Sequence, residues 1–395
     1  MKNLDLVILA GGKGSRIRKY LSGKPKPMIK FKNIFFLQYL INMFSKYPFR
    51  TIYILVGYKS SSIIKKFHNK IFNFSKVICI KEKKLMDTGG SLLGLKKRKL
   101  NNFILANGDT IFDVNIKDLI KSCKKNKIGS LALIKYRKNF NNQKLNNLVV
   151  QKNVLNYKRE GKLMNGGVYF FKKKFLKYLP NKKCSLENEI LPSFIKKKLI
   201  TGKVFNNFFI DIGTPKYLKI SKKKIINYFS RPAVFLDRDG VINHDLGYVH
   251  KKKDFIFKKG VIEGLKFLNR NNYYIFLVTN QAGIAKGIFT ENDFFQLHNY
   301  IKDKLFLKNI FFSDVQYSPY HPKGKIKKYK KYSSMRKPNN QMIKNIFNKF
   351  LIKKNKSFMI GDKISDKKCA EKSSLFFFYS EKNFLAQIKK IIRKI

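Results

Sequence analysis

The sequence of 395 residues has no tryptophan, four cysteines, and only 23 acidic residues against 86 lysines and arginines. The cysteines stand far apart and form no CxxC pair, which excludes a disulfide framework and favours the reducing cytoplasm. The opening MKNLDLVILAGG has no signal-peptide pattern, and apolar runs such as YYIFLV (273–278) are too short to span a bilayer. We therefore expect a cytoplasmic protein without membrane insertion.

The shortage of acids leaves a formal net charge of +63. Such a charge is typical of nucleic-acid-binding proteins, and a basic binding protein on a degenerate enzyme scaffold is one alternative. However, the lysines are spread over the whole chain beside many Asn, Ile and Phe residues, a composition expected of an AT-rich genome. No nucleic-acid-recognition motif stands out. We therefore expect no specific nucleic-acid partner, while the positive field steers phosphorylated substrates.

Short apolar runs that end at Gly, Asn, Asp or Thr alternate with helix-like segments along the chain. Examples are LVILAGG (6–12), NFILANGD (102–109) and AVFLDRD (233–239). This alternation predicts α/β architecture with doubly wound parallel sheets, whose ligands lie beyond the carboxyl ends of the strands. The segment KISKKKIINYFSRP (219–232) reads as a closing helix with a proline-marked boundary. We predict two domains, residues 1–230 and 231–395.

The first strand leads into the glycine-rich loop AGGKGSR (10–16), where backbone N–H groups can approach phosphates and Arg16 and Lys26 can neutralise charge. Ile17 stands where a dinucleotide-binding fingerprint needs glycine, and the G-K-[ST] of a Walker loop is absent. The glycines alone are equally compatible with an ordinary tight turn.

Further motifs follow this loop in order: PKPM (25–28), DTGGSL (87–92), NGD (107–109), NGGVYFF (165–171) and FIDIGTP (209–215). Together they resemble the sugar-phosphate nucleotidyltransferases over about residues 4–225. The resemblance implies a Rossmann-like domain that transfers a nucleotidyl group to a sugar 1-phosphate. It implies nucleotide binding by Gly11, Gly12, Gly14, Ser15 and Arg16, catalysis with Lys26, Mg²⁺ at Asp109 and Asp211, and substrate contacts from Asn165, Gly166, Glu187 and Lys158. Helix capping is the structural alternative for Asp109 and Asp211.

The stretch FLDRDGVIN (235–243) places Asp237 and Asp239 two positions apart at the end of an apolar strand. A carboxylate that attacks phosphorus needs a cation beside it, and a second acid must protonate the leaving alkoxide. Asp237 is the expected nucleophile and Asp239 the expected acid/base. A lone D-x-D is common in loops, so the assignment depends on the motifs farther along the chain.

VTNQAGIAKG (278–287), RKP (336–338) and MIGDKISD (359–366) come after it in order. This set resembles the haloacid dehalogenase superfamily of phosphatases over about residues 232–380. The resemblance implies phosphoryl binding by Thr279 and Asn280, an electrostatic role for Lys337 helped by Arg336, and Mg²⁺ at Asp237, the carbonyl of Asp239, and Asp362. Lys363 and Asp366 are further members of the site.

The stretch between Asp237 and Thr279 is too short for a large cap domain, so a capless domain is expected. DRDGVIN and TNQAGIAKG are similar to the branch that contains D-glycero-D-manno-heptose 1,7-bisphosphate 7-phosphatases and histidinol phosphatases. Many members carry a zinc loop, but Ser318, Tyr320, Ser333 and Met335 stand at its ligand positions here. The remaining His321 cannot hold zinc alone. We expect no zinc; either packing of Tyr317, Tyr320 and Tyr332 holds the loop, or the loop is disordered.

These resemblances imply a bifunctional enzyme of nucleotide-activated heptose synthesis for lipopolysaccharide or another surface glycan. The expected substrates are a phosphorylated heptose and a nucleoside triphosphate, with GTP the expected donor, and Mg²⁺ is expected at both sites. The alternative is a histidinol-phosphatase-like domain fused to a mannose- or glucose-1-phosphate nucleotidyltransferase. The fusion disfavours histidinol phosphate, because histidine synthesis has no use for a sugar nucleotidyltransferase.

Overall fold

The structure, a computed structural model, describes residues 4–21, 23–135, 147–151, 154–158 and 160–395. The chain divides into two compact units. The first unit comprises Met1–Leu40, Phe49–Ile71 and Ser75–Ile225, and the second comprises Ile41–Pro48, Phe72–Phe74 and Ile226–Ile395. Within the described ranges, every helix is too short or too polar to span a lipid bilayer.

In the described ranges, fourteen strands precede residue 215. They are β1 (Leu4–Leu9), β2 (Lys30–Phe31), β3 (Ile34–Phe35), β4 (Thr51–Val56), β5 (Ile71–Phe72), β6 (Ser75–Lys81), β7 (Asn102–Asn107), β8 (Thr110–Phe112), β9 (Gly129–Lys135), β10 (Leu148–Gln151), β11 (Val154–Tyr157), β12 (Leu163–Phe171), β13 (Ile200–Val204) and β14 (Phe209–Asp211). The α-helices that accompany them are α1 (Phe36–Ser45), α2 (Ser61–Phe67), α3 (Asp87–Gly90), α4 (Ile116–Ser122), α5 (Leu191–Lys196) and α6 (Pro215–Phe229).

Ten of these strands form one sheet in the order β10-β11-β13-β9-β12-β7-β1-β4-β6-β5. The central strands β7, β1, β4 and β6 are parallel to one another, whereas β12 runs antiparallel to its neighbours β7 and β9. The strand β1 shows why the sheet centre is stable, since four of its six residues are buried. A strand covered on both faces needs a continuous apolar run, and LDLVIL supplies one.

The second unit contains the five-stranded sheet β17-β16-β15-β18-β19, in which every pairing is parallel. Its strands are β15 (Ala233–Leu236), β16 (Tyr274–Asn280), β17 (Asp314–Ser318), β18 (Phe358–Gly361) and β19 (Phe376–Tyr379). Its helices are α7 (Val261–Arg270), α8 (Ala282–Ala285), α9 (Glu291–Leu307), α10 (Gln341–Phe347), α11 (Ile364–Glu371) and α12 (Phe384–Lys394). The predicted α/β class is confirmed for both units, with the difference that the larger sheet is mixed rather than purely parallel.

Candidate active sites

The first candidate site lies at the carboxyl ends of the central strands of the larger sheet, in a cavity of about 840 Å³. The cavity is lined by all but one of the residues predicted for this half: Gly11, Gly12, Gly14, Ser15, Arg16, Lys26, Asp109, Asn165, Gly166, Glu187 and Asp211. Gly14 has a φ of 62°, in the left-handed region that glycine enters without strain. The loop after β1 therefore turns sharply enough to bring its backbone to the cavity.

Lys26 and two carboxylates form the charged centre of this cavity. The Nζ atom of Lys26 lies 2.6 Å from Oδ2 of Asp109, and the lysine is almost fully buried. Thr110 lies between the carboxylates, because its hydroxyl is 3.2 Å from an oxygen of Asp109 and 3.2 Å from an oxygen of Asp211. Burial and the charge of Asp109 raise the pKa of Asp211 to about 6. Burial alone would raise the pKa of Asp109 too, but Lys26 holds it below its ordinary value.

Glu187 and Asn165 lie at the β12 side of the same cavity. The hydroxyl of Thr88 donates to Glu187 at 2.6 Å, and the amide of Asn165 donates to the hydroxyl of Tyr169 at 2.7 Å. Gly166 packs against Phe112 so closely that a Cβ would approach the ring to 2.3 Å. This side offers polar groups on a tightly packed floor, which is the kind of surface that orients a sugar.

Lys158 is the predicted residue that does not line the cavity. It follows β11 and is exposed, and its backbone N–H donates to the carbonyl oxygen of Asn147. The local pairing explains the difference, because β11 ends against β10 and neither strand lines the cavity.

The second candidate site lies at the carboxyl ends of β15, β16 and β18, where parallel strands bring Asp237, Thr279 and Asp362 to one edge of the sheet. Lys337 reaches this edge from a distant loop and is almost fully buried. Its Nζ atom lies 3.0 Å from Oδ1 of Asp237, 2.6 Å from Oδ1 of Asp366 and 2.9 Å from the carbonyl oxygen of Val278.

Asn280 fixes the backbone of Lys337 through two hydrogen bonds. The N–H of Lys337 donates to Oδ1 of Asn280 at 3.0 Å, and Nδ2 of Asn280 donates to the carbonyl of Lys337 at 3.1 Å. Burial alone would lower the pKa of Lys337. The charges of Asp237 and Asp366 outweigh this effect and raise the pKa above its ordinary value. Burial raises the pKa of Asp237 to about 6, against the opposing charge of Lys337. The lysine therefore stays cationic beside a carboxylate that is ionised at neutral pH.

Asp239 is held by three neighbours that the motif comparison did not single out. The guanidinium of Arg238 donates to both carboxylate oxygens, at 3.1 and 2.9 Å, while Asn243 donates at 2.9 Å and Gln281 at 3.1 Å. Gln281 also donates to the hydroxyl of Thr279 at 2.9 Å. The only signal for these roles was position, since Arg238 lies inside the D-x-D motif and Gln281 follows Asn280 directly.

Three carboxylates of this site could hold a metal ion. Asp237, Asp362 and Asp366 each offer an oxygen within 4.8 Å of the others. Oδ1 of Asp362 is buried, and within the described ranges no hydrogen-bond donor reaches it. Burial raises the pKa of Asp362 above its usual value. A hard divalent cation would satisfy this oxygen, so the donor set fits Mg²⁺.

Two basic side chains border this centre. Nζ of Lys363 lies 3.1 Å from a carboxylate oxygen of Asp245 and 3.8 Å from one of Asp362. Arg336 donates to the carbonyl of Tyr320 at 3.3 Å, and burial lowers its pKa. Lys363 is thus paired with carboxylates, whereas the printed partner of Arg336 is a neutral backbone carbonyl.

The loop at 317–338 is held by Glu291 together with two of the three predicted tyrosines, Tyr317 and Tyr320. Glu291, the first residue of α9, accepts hydrogen bonds from the hydroxyls of Tyr317, at 2.7 Å, and of Tyr329. Tyr320 packs against the ring of Tyr329, with ring centroids 6.2 Å apart. Tyr332, predicted to pack, is 89% exposed, so that expectation was wrong. Tyr329 takes the role expected of Tyr332, because its hydroxyl donates a hydrogen bond to the carboxylate of Glu291.

Comparison with known proteins agrees with the motifs. The family model described as nucleotidyl transferase matches residues 6–226, and that described as polynucleotide kinase 3 phosphatase matches residues 235–390. The chain is 45% identical to the D-glycero-β-D-manno-heptose-1,7-bisphosphate 7-phosphatase of Photorhabdus laumondii over 139 residues, which are 35% of this chain and 74% of that protein. It is 36% identical to the protein of the same name from Rhodopseudomonas palustris over 145 residues, 37% of this chain and 81% of that protein.

The chain belongs to both the nucleotidyl transferase and the heptose-bisphosphate 7-phosphatase families. Among solved structures, HddC from Yersinia pseudotuberculosis is 27% identical with a TM-score of 0.47, and the match covers 56% of this chain and 99% of that protein. The predicted pairing of a sugar-phosphate nucleotidyltransferase with a haloacid-dehalogenase-type phosphatase is confirmed, and with it the prediction of two enzyme activities in one chain.

Proposed function

We propose that the chain catalyses two consecutive steps: removal of the 7-phosphate from D-glycero-D-manno-heptose 1,7-bisphosphate, and guanylyl transfer from GTP to the resulting heptose 1-phosphate. The chain is a bifunctional enzyme of heptose activation. One observation carries the assignment: a chain whose first part matches the nucleotidyl transferase model is also 45% identical to a heptose bisphosphate 7-phosphatase. The product of the phosphatase activity is a sugar 1-phosphate, which is the substrate class of the nucleotidyl transferase.

In the phosphatase step, an oxygen of Asp237 attacks the phosphorus at C7 and an aspartyl-phosphate forms. The bond between phosphorus and the C7 oxygen breaks, and that oxygen takes a proton from Asp239. Water then attacks the phosphorus, Asp239 accepts the proton from that water, and inorganic phosphate and heptose 1-phosphate are released. Lys337, 3.0 Å from Asp237, balances the charge of the transferring group.

Thr279 and Asn280 bind the phosphoryl oxygens in this proposal, and Arg336 and Lys363 contact the remainder of the substrate. Mg²⁺ would be held by Asp237, the backbone carbonyl of Asp239, and Asp362, whose buried Oδ1 supports the assignment. When bound, the ion supplies Lewis-acid stabilisation of negative charge at phosphorus. Glu291 holds the loop that carries Arg336, in place of a zinc ion.

In the transferase step, an oxygen of the anomeric phosphate attacks the α-phosphorus of the nucleotide, and pyrophosphate leaves. Gly11, Gly12, Gly14 and Ser15 present the loop that receives the triphosphate, and Arg16 and Lys26 neutralise its charge. Asp109 and Asp211 would hold Mg²⁺, since both carboxylates face the same cavity from either side of Thr110, and the charge of Asp109 helps to raise the pKa of Asp211. Asn165, Gly166 and Glu187 contact the sugar.

We place both reactions in the cytoplasm, where nucleoside triphosphates are made. Phosphorylated sugars and nucleotides are anions, and the net charge of +63 favours their approach. No nucleic-acid partner is needed to explain the charge. The product, a nucleotide-activated heptose, serves the synthesis of a surface glycan such as lipopolysaccharide.

The test is incubation of the whole chain with heptose 1,7-bisphosphate, Mg²⁺ and each nucleoside triphosphate in turn, followed by phosphorus NMR. Inorganic phosphate should appear with every nucleotide, while pyrophosphate and a nucleoside diphosphate heptose should appear with GTP. Histidinol phosphate, mannose 1-phosphate and glucose 1-phosphate are the comparison substrates. Faster release of phosphate from histidinol phosphate than from the bisphosphate would overturn the heptose assignment.

A further inference from the structure

A lysine outside every motif joins three loops at the edge of the phosphatase site. Lys258 lies in the segment that leads into α7, and its Nζ atom donates to the carbonyl oxygen of Gly240 at 2.7 Å and to the hydroxyl oxygen of Ser380 at 2.9 Å. The hydroxyl of Ser380 donates in turn to the same carbonyl at 3.0 Å. Three groups from distant parts of the chain therefore form a closed triangle of hydrogen bonds.

One corner of this triangle packs against the carboxylate of Asp362. Gly240 has a φ of 82°, in the left-handed region, and a Cβ there would lie only 2.7 Å from Cγ of Asp362. No side chain fits in that space, so the backbone of Gly240 lies directly against the carboxylate. Gly240 also follows Asp239, whose backbone carbonyl is a predicted metal ligand. A shift of Gly240 would therefore disturb both predicted ligands.

A second corner of the triangle is tied to the strand that carries Asp362. Ser380 follows β19, the neighbour of β18 in the sheet, and its backbone N–H donates to the carbonyl of Gly361 at 2.9 Å. Gly361 is the last residue of β18 and immediately precedes Asp362. The triangle is thus anchored to the backbone next to Asp362 in the sequence and to the backbone that packs against its carboxylate.

Lys258 is held for hydrogen bonding rather than for ion pairing. The side chain is half-buried, and its own backbone N–H donates to the carbonyl of Ile242 at 3.1 Å. Among the described residues, no carboxylate forms an ion pair with it. Burial lowers the pKa of Lys258, and the charge of Asp362 opposes this shift. The ammonium group therefore directs two of its three N–H bonds at neutral oxygen atoms that belong to the loops of the site.

We propose that Lys258 is a positioning residue of the phosphatase metal site, which fixes Gly240 so that Asp362 and the carbonyl of Asp239 keep the spacing that Mg²⁺ needs. This inference rests on the proposed phosphatase function. Mg²⁺ demands nearly ideal octahedral geometry, so small displacements of its ligands weaken binding. Oδ1 of Asp362 is the buried oxygen that no donor reaches within the described ranges, and its orientation decides whether it can meet an ion. Groups that hold metal ligands from behind typically change metal affinity by about ten- to a hundredfold.

The charge of Lys258 makes the opposite prediction from its hydrogen bonds. A cation near the carboxylates repels a divalent ion, so removal of the charge alone would tighten Mg²⁺ binding. Removal of the hydrogen bonds frees Gly240 and loosens binding. The direction of the change therefore separates positioning from electrostatics.

The test is calorimetric titration of Mg²⁺ into the whole chain, with Lys258→Met compared with the unchanged residue. All proteins carry Asp211→Asn, so that the other proposed Mg²⁺ site does not contribute. Methionine keeps an unbranched stem of similar length but has no donor. We expect Lys258→Met to bind Mg²⁺ at least about tenfold more weakly. In phosphate release, the half-saturating Mg²⁺ concentration should rise by the same factor, while the rate at saturating Mg²⁺ should stay within about threefold.

Ser380→Ala is a second variant that does not change the charge. It removes one of the two donors to the carbonyl of Gly240, so we expect Mg²⁺ to bind about threefold more weakly. Lys259→Met is the matched control, because Lys259 is the next residue, is exposed and carries the same charge. It should keep the unaltered affinity. Circular dichroism and urea unfolding show whether each variant is folded, and Ser380→Ala decides the question if Lys258→Met is not.

Tighter or unchanged Mg²⁺ binding in folded Lys258→Met would overturn the inference, and so would equal weakening in Lys259→Met. Phosphate release from heptose 1,7-bisphosphate by wild type separates these outcomes from the proposed function. Release of phosphate with unchanged Mg²⁺ binding in Lys258→Met would support the proposed function and overturn the role of Lys258. Weakened binding in this variant without phosphate release by wild type would support the positioning role and overturn the substrate assignment. Absence of Mg²⁺ binding by the chain with Lys258 intact would overturn both.

Discussion

The two candidate sites differ in whether their charged side chains are packed together or line an open cavity. In the phosphatase site, Lys337 is buried between Asp237 and Asp366, so the proposed catalytic groups are paired with one another before any substrate arrives. In the transferase site, Lys26 pairs with Asp109 at the wall of a cavity of about 840 Å³. The difference follows from the chemistry. An enzyme that supplies its own nucleophile must hold it in position, whereas one that joins two substrates must leave room for both.

The sharpest way to separate the sites is Asp237→Asn. The amide keeps the shape of the side chain but is not a nucleophile, so we expect phosphatase turnover to fall at least about a thousandfold. Nucleotidyl transfer to heptose 1-phosphate should stay within about twofold of wild type, because the cavity of the first unit is untouched. The measurement is phosphate release and pyrophosphate release on the same preparation. Retention of most phosphatase activity would refute the assignment of the nucleophile.

The reciprocal change is Asp211→Asn. Loss of one carboxylate weakens the proposed Mg²⁺ site beside Asp109, and we expect nucleotidyl transfer to fall about a hundredfold or more. Phosphatase turnover should not change. Asp118→Asn, in α4 of the same unit and away from the cavity lining, is the control and should leave both activities near wild type. Equal transfer by Asp211→Asn and Asp118→Asn would contradict the metal assignment.

The comparison also predicts an order of reactions. The sugar end of the transferase cavity carries Glu187, whose carboxylate would repel the two further negative charges of a second phosphate at C7. We expect heptose 1,7-bisphosphate to be at least about tenfold poorer than heptose 1-phosphate as a guanylyl acceptor. Asp237→Asn permits the measurement, because it does not consume the bisphosphate. Equal rates of pyrophosphate release with the two sugars would exclude the ordered scheme.

A smaller effect is expected at the loop at 317–338. We expect chelator-treated protein to contain no stoichiometric zinc and to regain full phosphatase activity with Mg²⁺ alone. Glu291→Ala should lower the free energy of unfolding by about 1–2 kcal/mol, because the hydroxyls of Tyr317 and Tyr329 lose their acceptor. It should also raise the KM, since the same loop carries Arg336.

Elemental analysis and urea unfolding check these expectations. Glu263→Ala, at an exposed position of α7, is the control and should change neither stability nor KM. One tightly held zinc ion per chain would show that the loop has another ligand set. Identical stability of Glu291→Ala and Glu263→Ala would contradict the role given to Glu291.

A separate expectation is a pH dependence of stability. Lys302 in α9 is buried and donates to the carbonyl of Asn73 at 2.7 Å, within the second unit. Burial lowers its pKa to about 7, against the attraction of Asp314. Between pH 7 and about 10.4, the unfolded chain binds a proton that the folded chain does not. Stability from this lysine is therefore present at high pH and is lost as the pH falls toward 7.

Lys302→Met removes this contribution. The free energy of unfolding of wild type minus that of the variant should rise between pH 7 and pH 9.5, as measured by urea titration at both values. Lys304→Met, at an exposed position of the same helix, should show no such slope. Parallel pH profiles of wild type and Lys302→Met would contradict the lowered pKa.

The motifs alone located most of both sites. Asp237, Thr279 and Asp362 each follow an apolar run, and parallel strands bring such ends to one edge of a sheet. The family resemblance predicted the glycine loop, Asp109 and Asp211, and all three line one cavity. Alternation of strands and helices predicted the α/β class. These conclusions were accessible because they depend on local patterns and on rules that hold for all parallel sheets.

The residues that the motifs missed depend on contacts between distant parts of the chain. Strand pairing cannot be read from any local sequence period, and it decided that Lys158 lies away from the cavity while Glu82 lies in it. The hydrogen bonds that Tyr317 and Tyr329 donate to Glu291 likewise join residues that no motif connects. A hydrogen bond or an ion pair needs two groups within about 3 Å, and only the folded chain sets the distance between residues far apart in sequence.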